Sequence, residues 1–108
     1  MFLDTSTPVC ILKLDSKEYR FEAGNMLAEG IFRFIKEKLS ENSKDWKDLS
    51  EIHYYSGPGS FTGLRIGAAV VNTLADQLKI PLFDHNNNRK QIILPDYGRP
   101  ARITTPKK

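Results

Sequence analysis

The stretch Ser56-Gly57-Pro58-Gly59-Ser60-Phe61-Thr62-Gly63-Leu64-Arg65-Ile66-Gly67 constrains this chain more than any other. It lies between a short β-rich run, Ile52 to Tyr55, and a long helical pattern from Leu64 to Leu78. That placement predicts a strand–loop–helix junction. Pro58 sets one φ angle, while the flanking glycines permit positive φ and close backbone approach. Ser60 or Thr62 is placed to cap the following helix by accepting from one of its orphan N–H groups. A loop of this kind serves either tight packing of helix on strand or the seating of a phosphate or carboxylate. No Lys-Ser/Thr pair follows a second glycine at the P-loop spacing, so that motif is absent.

The elements around the junction follow in a definite order. Phe2-Leu3 starts a buried strand, and Asp4-Thr5-Ser6-Thr7-Pro8 turns the chain, with Asp4 suited to an Asx turn. Val9 to Leu14 is a second strand, Asp15-Ser16 a hairpin turn, and Lys17 to Glu22 a half-exposed third strand. A helix is predicted over Met26 to Leu39, a polar connector anchored by Trp46 and Leu49, and a strand over Glu51 to Tyr55. The second helix covers Thr62 to Lys79, and Ile80-Pro81-Leu82-Phe83 is the final strand. Asp84 to Lys90 is turn-like, and Gln91-Ile92-Ile93-Leu94 adds a small strand or clip. This is the order of an actin/Hsp70/sugar-kinase-like (ribonuclease H-like) half-domain, an α/β unit with a mixed sheet of about five strands and two main helices. Its lobe is residues 1–83; residues 84–108 form a tail that is extended or clipped onto the lobe.

Both helices are broadly apolar. At 100° per residue, Leu27, Ile31, Phe32, Phe34, Ile35 and Leu39 span about 160°, with Lys38 snorkelling at the edge and Glu29 placed to pair with Arg33. Leu64, Ile66, Gly67, Ala68, Val70, Val71, Leu74, Ala75 and Leu78 span about 200° of the second helix, where one sheet-facing surface needs about 100°. Each fully buried aliphatic side chain is worth roughly 1.5–3 kcal/mol. Leaving several exposed would forgo on the order of 10 kcal/mol, as much as a whole domain's stability. A partner laid against Leu27, Ile31, Phe34, Ile35, Ile66, Val70 and Leu74 is therefore expected.

Composition narrows the chemistry. A chain of 108 residues suits one small domain, and no apolar run is long enough to span a membrane. Met1 leads directly into Phe2-Leu3-Asp4, so no secretory leader is expected, and the single Cys10 suits a reducing cytoplasm. Basic residues gather late: Arg89, Lys90, Arg99, Arg102, Lys107 and Lys108 face only Asp84 and Asp96, whereas the first 83 residues are nearly neutral. That tail is either a solvated segment or a contact for nucleic acid. His53 and His85 lack companions at metal spacing, and Ser60 lacks a base, so neither a metal site nor a catalytic triad is predicted. A phosphate or cation site, if the loop forms one, would use Asp4, Thr5 and Ser60.

Gly57 to Gly67, together with Leu3-Asp4-Thr5-Ser6-Thr7, the first helix and the Ile-Pro-Leu strand, resembles the TsaB (YeaZ) family over residues 2–83. Pro95-Asp96-Tyr97-Gly98-Arg99 is similar to the Pro-x-Tyr-x-Arg that ends the family's chains, and the second lobe between the two has no counterpart. The resemblance implies a minimal form of the dimerisation subunit in tRNA threonylcarbamoyladenosine biosynthesis. It would be non-catalytic and would pair as a heterodimer with the TsaD-type paralogue, beside a TsaE-type ATPase. It would reach tRNA through that complex, and a homodimer is left open for the chain alone. No cofactor is implied, ATP or ADP entering only at the complex interface. The rival expectation is a nucleotide- or phosphate-binding module of the actin-like ATPase class. Leu27, where the family often has His, and Lys38, where it has an apolar residue, depart from the family pattern.

Overall fold

Short alternating strands and two amphipathic stretches assemble into one layer of sheet under one layer of helix. A computed structural model describes residues 1–96 of the chain. Its strands are Phe2–Asp4 (β1), Val9–Leu14 (β2), Lys17–Glu22 (β3), Ile52–Tyr54 (β4), Leu82–Asp84 (β5) and Arg89–Lys90 (β6). They lie in the order β3-β2-β1-β4-β5-β6. The three N-terminal strands are an antiparallel meander, β4 and β5 extend it in parallel, and β6 returns antiparallel. Parallel neighbours need long crossovers, and two helices supply them: Leu27–Glu41 (α1) between β3 and β4, Phe61–Leu78 (α2) between β4 and β5. This is the mixed half-domain read from the sequence, with one more strand than the five expected. The polar run Asp84 to Asn88 makes that extra hairpin. The Asp84 carboxylate accepts from the N–H groups of Asn86 and Asn88, and Asn87 takes a φ of 64°.

Register decides the core. Leu3 sits opposite Leu12 on β2 and Tyr54 on β4, and Ile52 opposite Leu82, so these side chains share the buried face with Cys10 and Leu14. The other face carries Phe2, Ile11, His53 and Phe83, all half-buried. Both helices cover the first face. Phe21 of β3 stacks on Phe34 of α1 with ring centroids 5.0 Å apart. Lys38 lays its ammonium over the Tyr19 and Phe34 rings and pairs with Glu41, while Glu29 and Arg33 form no ion pair among the described residues. Trp46 meets Phe32 edge-on and Leu49 is buried, which ties down the connector to β4.

Most of the wide apolar arc of α2 is covered within the subunit. Leu64, Ala68, Val70, Val71, Leu74 and Ala75 are all buried, divided among the sheet, α1 and Ile93 from the segment after β6. The three-sided enclosure accounts for an arc twice the width one sheet would need.

Candidate functional site

The loop between β4 and α2 is locked to the turn after β1 by a small set of buried polar groups. Thr5, fully buried, donates its hydroxyl to the Gly63 carbonyl at 2.7 Å and lies 2.9 Å from the Tyr54 phenol oxygen. Tyr54 in turn donates to the Leu64 carbonyl at 3.0 Å. Ser60 is the N-cap, its side chain accepting from the Gly63 N–H, and its own N–H binds the Ser6 carbonyl at 2.8 Å. Glycine is required where helix and strand touch. A side chain at Gly63 would overlap the Thr5 carbonyl, and one at Gly67 would overlap the Thr5 hydroxyl and the Tyr54 ring. On the far side, Tyr55 donates to the Pro58 carbonyl at 2.9 Å.

These engagements answer the expectation of a phosphate or cation site at Asp4, Thr5 and Ser60. Asp4 Oδ1 accepts from both the N–H and the hydroxyl of Ser6, making the Asx turn. The Thr5 hydroxyl faces the interior, and the Ser60 hydroxyl caps α2. Each of the three polar groups is engaged in a hydrogen bond within the fold. Among the described residues no three His, Cys, Asp or Glu side chains gather as a metal set. Cys10 is fully buried beneath this region; burial pushes its thiol up to about 12, and the Asp4 carboxylate adds to the rise.

The expected partner surface needs correction. Leu27, Ile31, Phe34, Ile35, Val70 and Leu74 lie in the core of the single subunit, because α1, α2 and the sheet close on one another. Of the seven residues only Ile66 is half-exposed. It stands beside Thr62 and Ala69 on the outer flank of α2. That flank is one wall of an open cleft of about 590 Å³; the other wall is Ile93, Leu94 and Pro95. Of the signature-loop residues, Thr62 and Arg65 are exposed and line it, Phe61 is exposed, and Gly57 and Gly63 are buried.

The segment after β6 was only partly foreseen. The sequence leaves the tail either free or clipped back, and a clip would use Ile92, Leu94 and Tyr97. The clip is Ile93, 3% exposed, while Ile92 and Leu94 point outward. An apolar triplet carries no period from which to tell which member turns in. Asn72 makes the difference: its amide pairs with the Ile93 peptide on both sides. Arg89 and Lys90 form the exposed edge strand, with Lys90 4.0 Å from Asp84. Tyr97, Gly98, Arg99, Arg102, Lys107 and Lys108 lie outside the described residues. No helix among the described residues is long and apolar enough to cross a membrane.

Comparison with known proteins places the fold in context. The family model described as TsaD, tRNA N6-adenosine threonylcarbamoyltransferase, matches residues 22–87. Two relatives named tRNA threonylcarbamoyladenosine biosynthesis protein TsaB come from Buchnera aphidicola. That of Acyrthosiphon pisum is 40% identical over 53 residues, covering 49% of this chain and 24% of that protein. That of Schizaphis graminum is 31% identical over 85 residues, covering 75% and 40%. The solved structure of YeaZ from Pseudomonas aeruginosa superposes with a TM-score of 0.68 at 29% identity, covering 77% of this chain and 41% of that one. The chain thus spans about two fifths or less of the length of these relatives.

Proposed function

The chain belongs to the TsaB/YeaZ family, and from that membership we propose that it is a non-catalytic docking subunit of the machinery that installs threonylcarbamoyl groups on adenosine in tRNA. Its partner is the TsaD-type transferase subunit. The observation that carries this reading is the outer flank of α2. Of the seven residues expected on the partner surface six are buried, yet Ile66, with Thr62 and Ala69, remains open along about two helical turns. The polar groups that would serve catalysis or bind nucleotide are engaged in holding the β1 turn, the loop and α2 together.

The chain matches a family model described for the transferase itself, so the two subunits share a fold. Like-folded lobes can pair through equivalent helices about a pseudo-two-fold axis, ridges of one α2 fitting the grooves of the other. A TsaE-type ATPase and tRNA then meet this chain through the assembled complex, at no nucleotide site of its own. Co-purification with the TsaD-type subunit tests the reading. Ile66→Glu places a charge on the open flank without entering the core and should abolish recovery of the pair. Undiminished recovery would refute the docking flank. Charging Ile35 or Val70 would test folding instead, since both are buried.

A further inference from the structure

Residues 91–96 lie beyond residue 87, where the family match ends, and they are held at two points, one on α2 and one on the loop before it. The first anchor is Asn72. Its Oδ1 accepts from the Ile93 N–H at 2.8 Å and its Nδ2 donates to the Ile93 carbonyl at 2.9 Å, while the Ile93 side chain enters the core. The second anchor is Asp96, whose N–H binds the Ser56 carbonyl at 2.7 Å. Gly57 makes this approach possible, because any side chain there would overlap the Asp96 carbonyl. A residue of the signature loop is thus spent on seating this strap.

Between the anchors stands Leu94, 73% exposed. Fixing an aliphatic side chain in water brings no gain within the subunit, yet it lines the same cleft as Ile66 and Ala69. The one charged side chain lining that cleft is Arg65, which has no ion pair among the described residues. We propose that the strap is a partner-specificity element. Leu94, Ile66 and Arg65 together select an amphipathic helix of the partner subunit, one presenting an aliphatic side chain to Leu94 and a carboxylate to Arg65. Thr62, Ile66 and Ala69 recur at one-turn spacing along the cleft floor, which suits a helix laid alongside α2. A lone exposed guanidinium beside apolar surface is matched by a carboxylate, with bidentate geometry available. Asn72 is the positioning residue: it acts through Leu94 by holding the strap in place. The inference rests on the docking reading above and adds the strap to it.

Titration of the full chain against the cognate TsaD-type subunit, followed by fluorescence anisotropy, tests it. Leu94→Ala and Arg65→Glu should each weaken binding about ten-fold or more, and circular dichroism should show both folded, since both sites are exposed. Asn72→Ala should weaken binding similarly in the wild-type chain, and should add nothing once residue 94 is alanine. If Ile66→Glu disrupts binding while Leu94→Ala and Arg65→Glu bind as wild type does, the strap inference falls and the docking reading stands. If Ile66→Glu also binds normally, the docking reading itself falls. A dimer of the lone chain that Leu94→Ala dissolves would put a second copy in the cleft and overturn the partner assignment.

Discussion

Replacing Gly67 by alanine tests the physical reason for the glycines in the loop-to-helix junction. In an exposed helix interior this change stabilises by about 1 kcal/mol, because alanine is the better helix former. Here the new methyl would overlap the Thr5 hydroxyl and the Tyr54 phenol, and come within 2.8 Å of Tyr54 Cε1. Both neighbours are fully buried and neither can turn aside. Relief requires α2 to lift from β1 and β4. Overpacking of this kind costs roughly 1–3 kcal/mol. Lifting also strains the bonds from Thr5 to Gly63 and from Tyr54 to Leu64, and one buried polar group left unpaired costs roughly 1–3 kcal/mol. Set against the helix-propensity gain, the net loss is about 3 kcal/mol, a fall of about 10–20 °C in melting midpoint for a domain of this size. Thermal and urea unfolding followed by circular dichroism would measure it. Gly30→Ala is the control: its methyl would meet the Phe21 ring at 2.7 Å, but that ring is only half-buried and can yield. If Gly67→Ala melts at or above the wild-type midpoint, the close-approach account of the loop is wrong.

Two further outcomes follow from buried titrating groups. Cys10 has its thiol raised by burial, so the folded chain should resist alkylation at pH 8 and react fully in urea. The unfolded thiol ionises near pH 9 and the folded one near 12, so the unfolded state releases its proton first. Stability should therefore decline between those values, and Cys10→Ala should lose that alkaline slope. Asp84 has its carboxyl held below the ordinary range, chiefly by the Asn88 N–H and then, against the opposing effect of burial, by Asn86 and the Asn88 side chain. A depressed carboxylate contributes stability above its unfolded pKa and loses it as pH falls. The Asp84→Asn chain should show a shallower loss of stability below pH 4 than the wild type, and an unchanged acid limb would contradict that role.

The fold was legible because each local signal agreed with its neighbours. A short apolar run marked β2 and alternation marked β3, the Asp15-Ser16 turn joined them, and period-3.6 apolar arcs marked α1 and α2 to within two residues at each end. The capping role of Ser60 follows from hydroxyl chemistry at a helix start. The docking surface was not legible in the same way. A count of apolar positions tells how much of a helix must be covered but not by what, and here Phe21, α1 and Ile93 cover most of it.

Sequence alone determined the element order, the junction glycines and the kinship of residues 22–87, since these depend on neighbours along the chain. Tertiary structure decided which apolar residues stay open and what the polar loop residues do. Thr5 meets Tyr54 across 49 positions and Asn72 meets Ile93 across 21, and no local pattern encodes such pairings. Burial is a property of the neighbour that arrives, and only the folded chain brings Ile93 to α2 while leaving Leu94 in water.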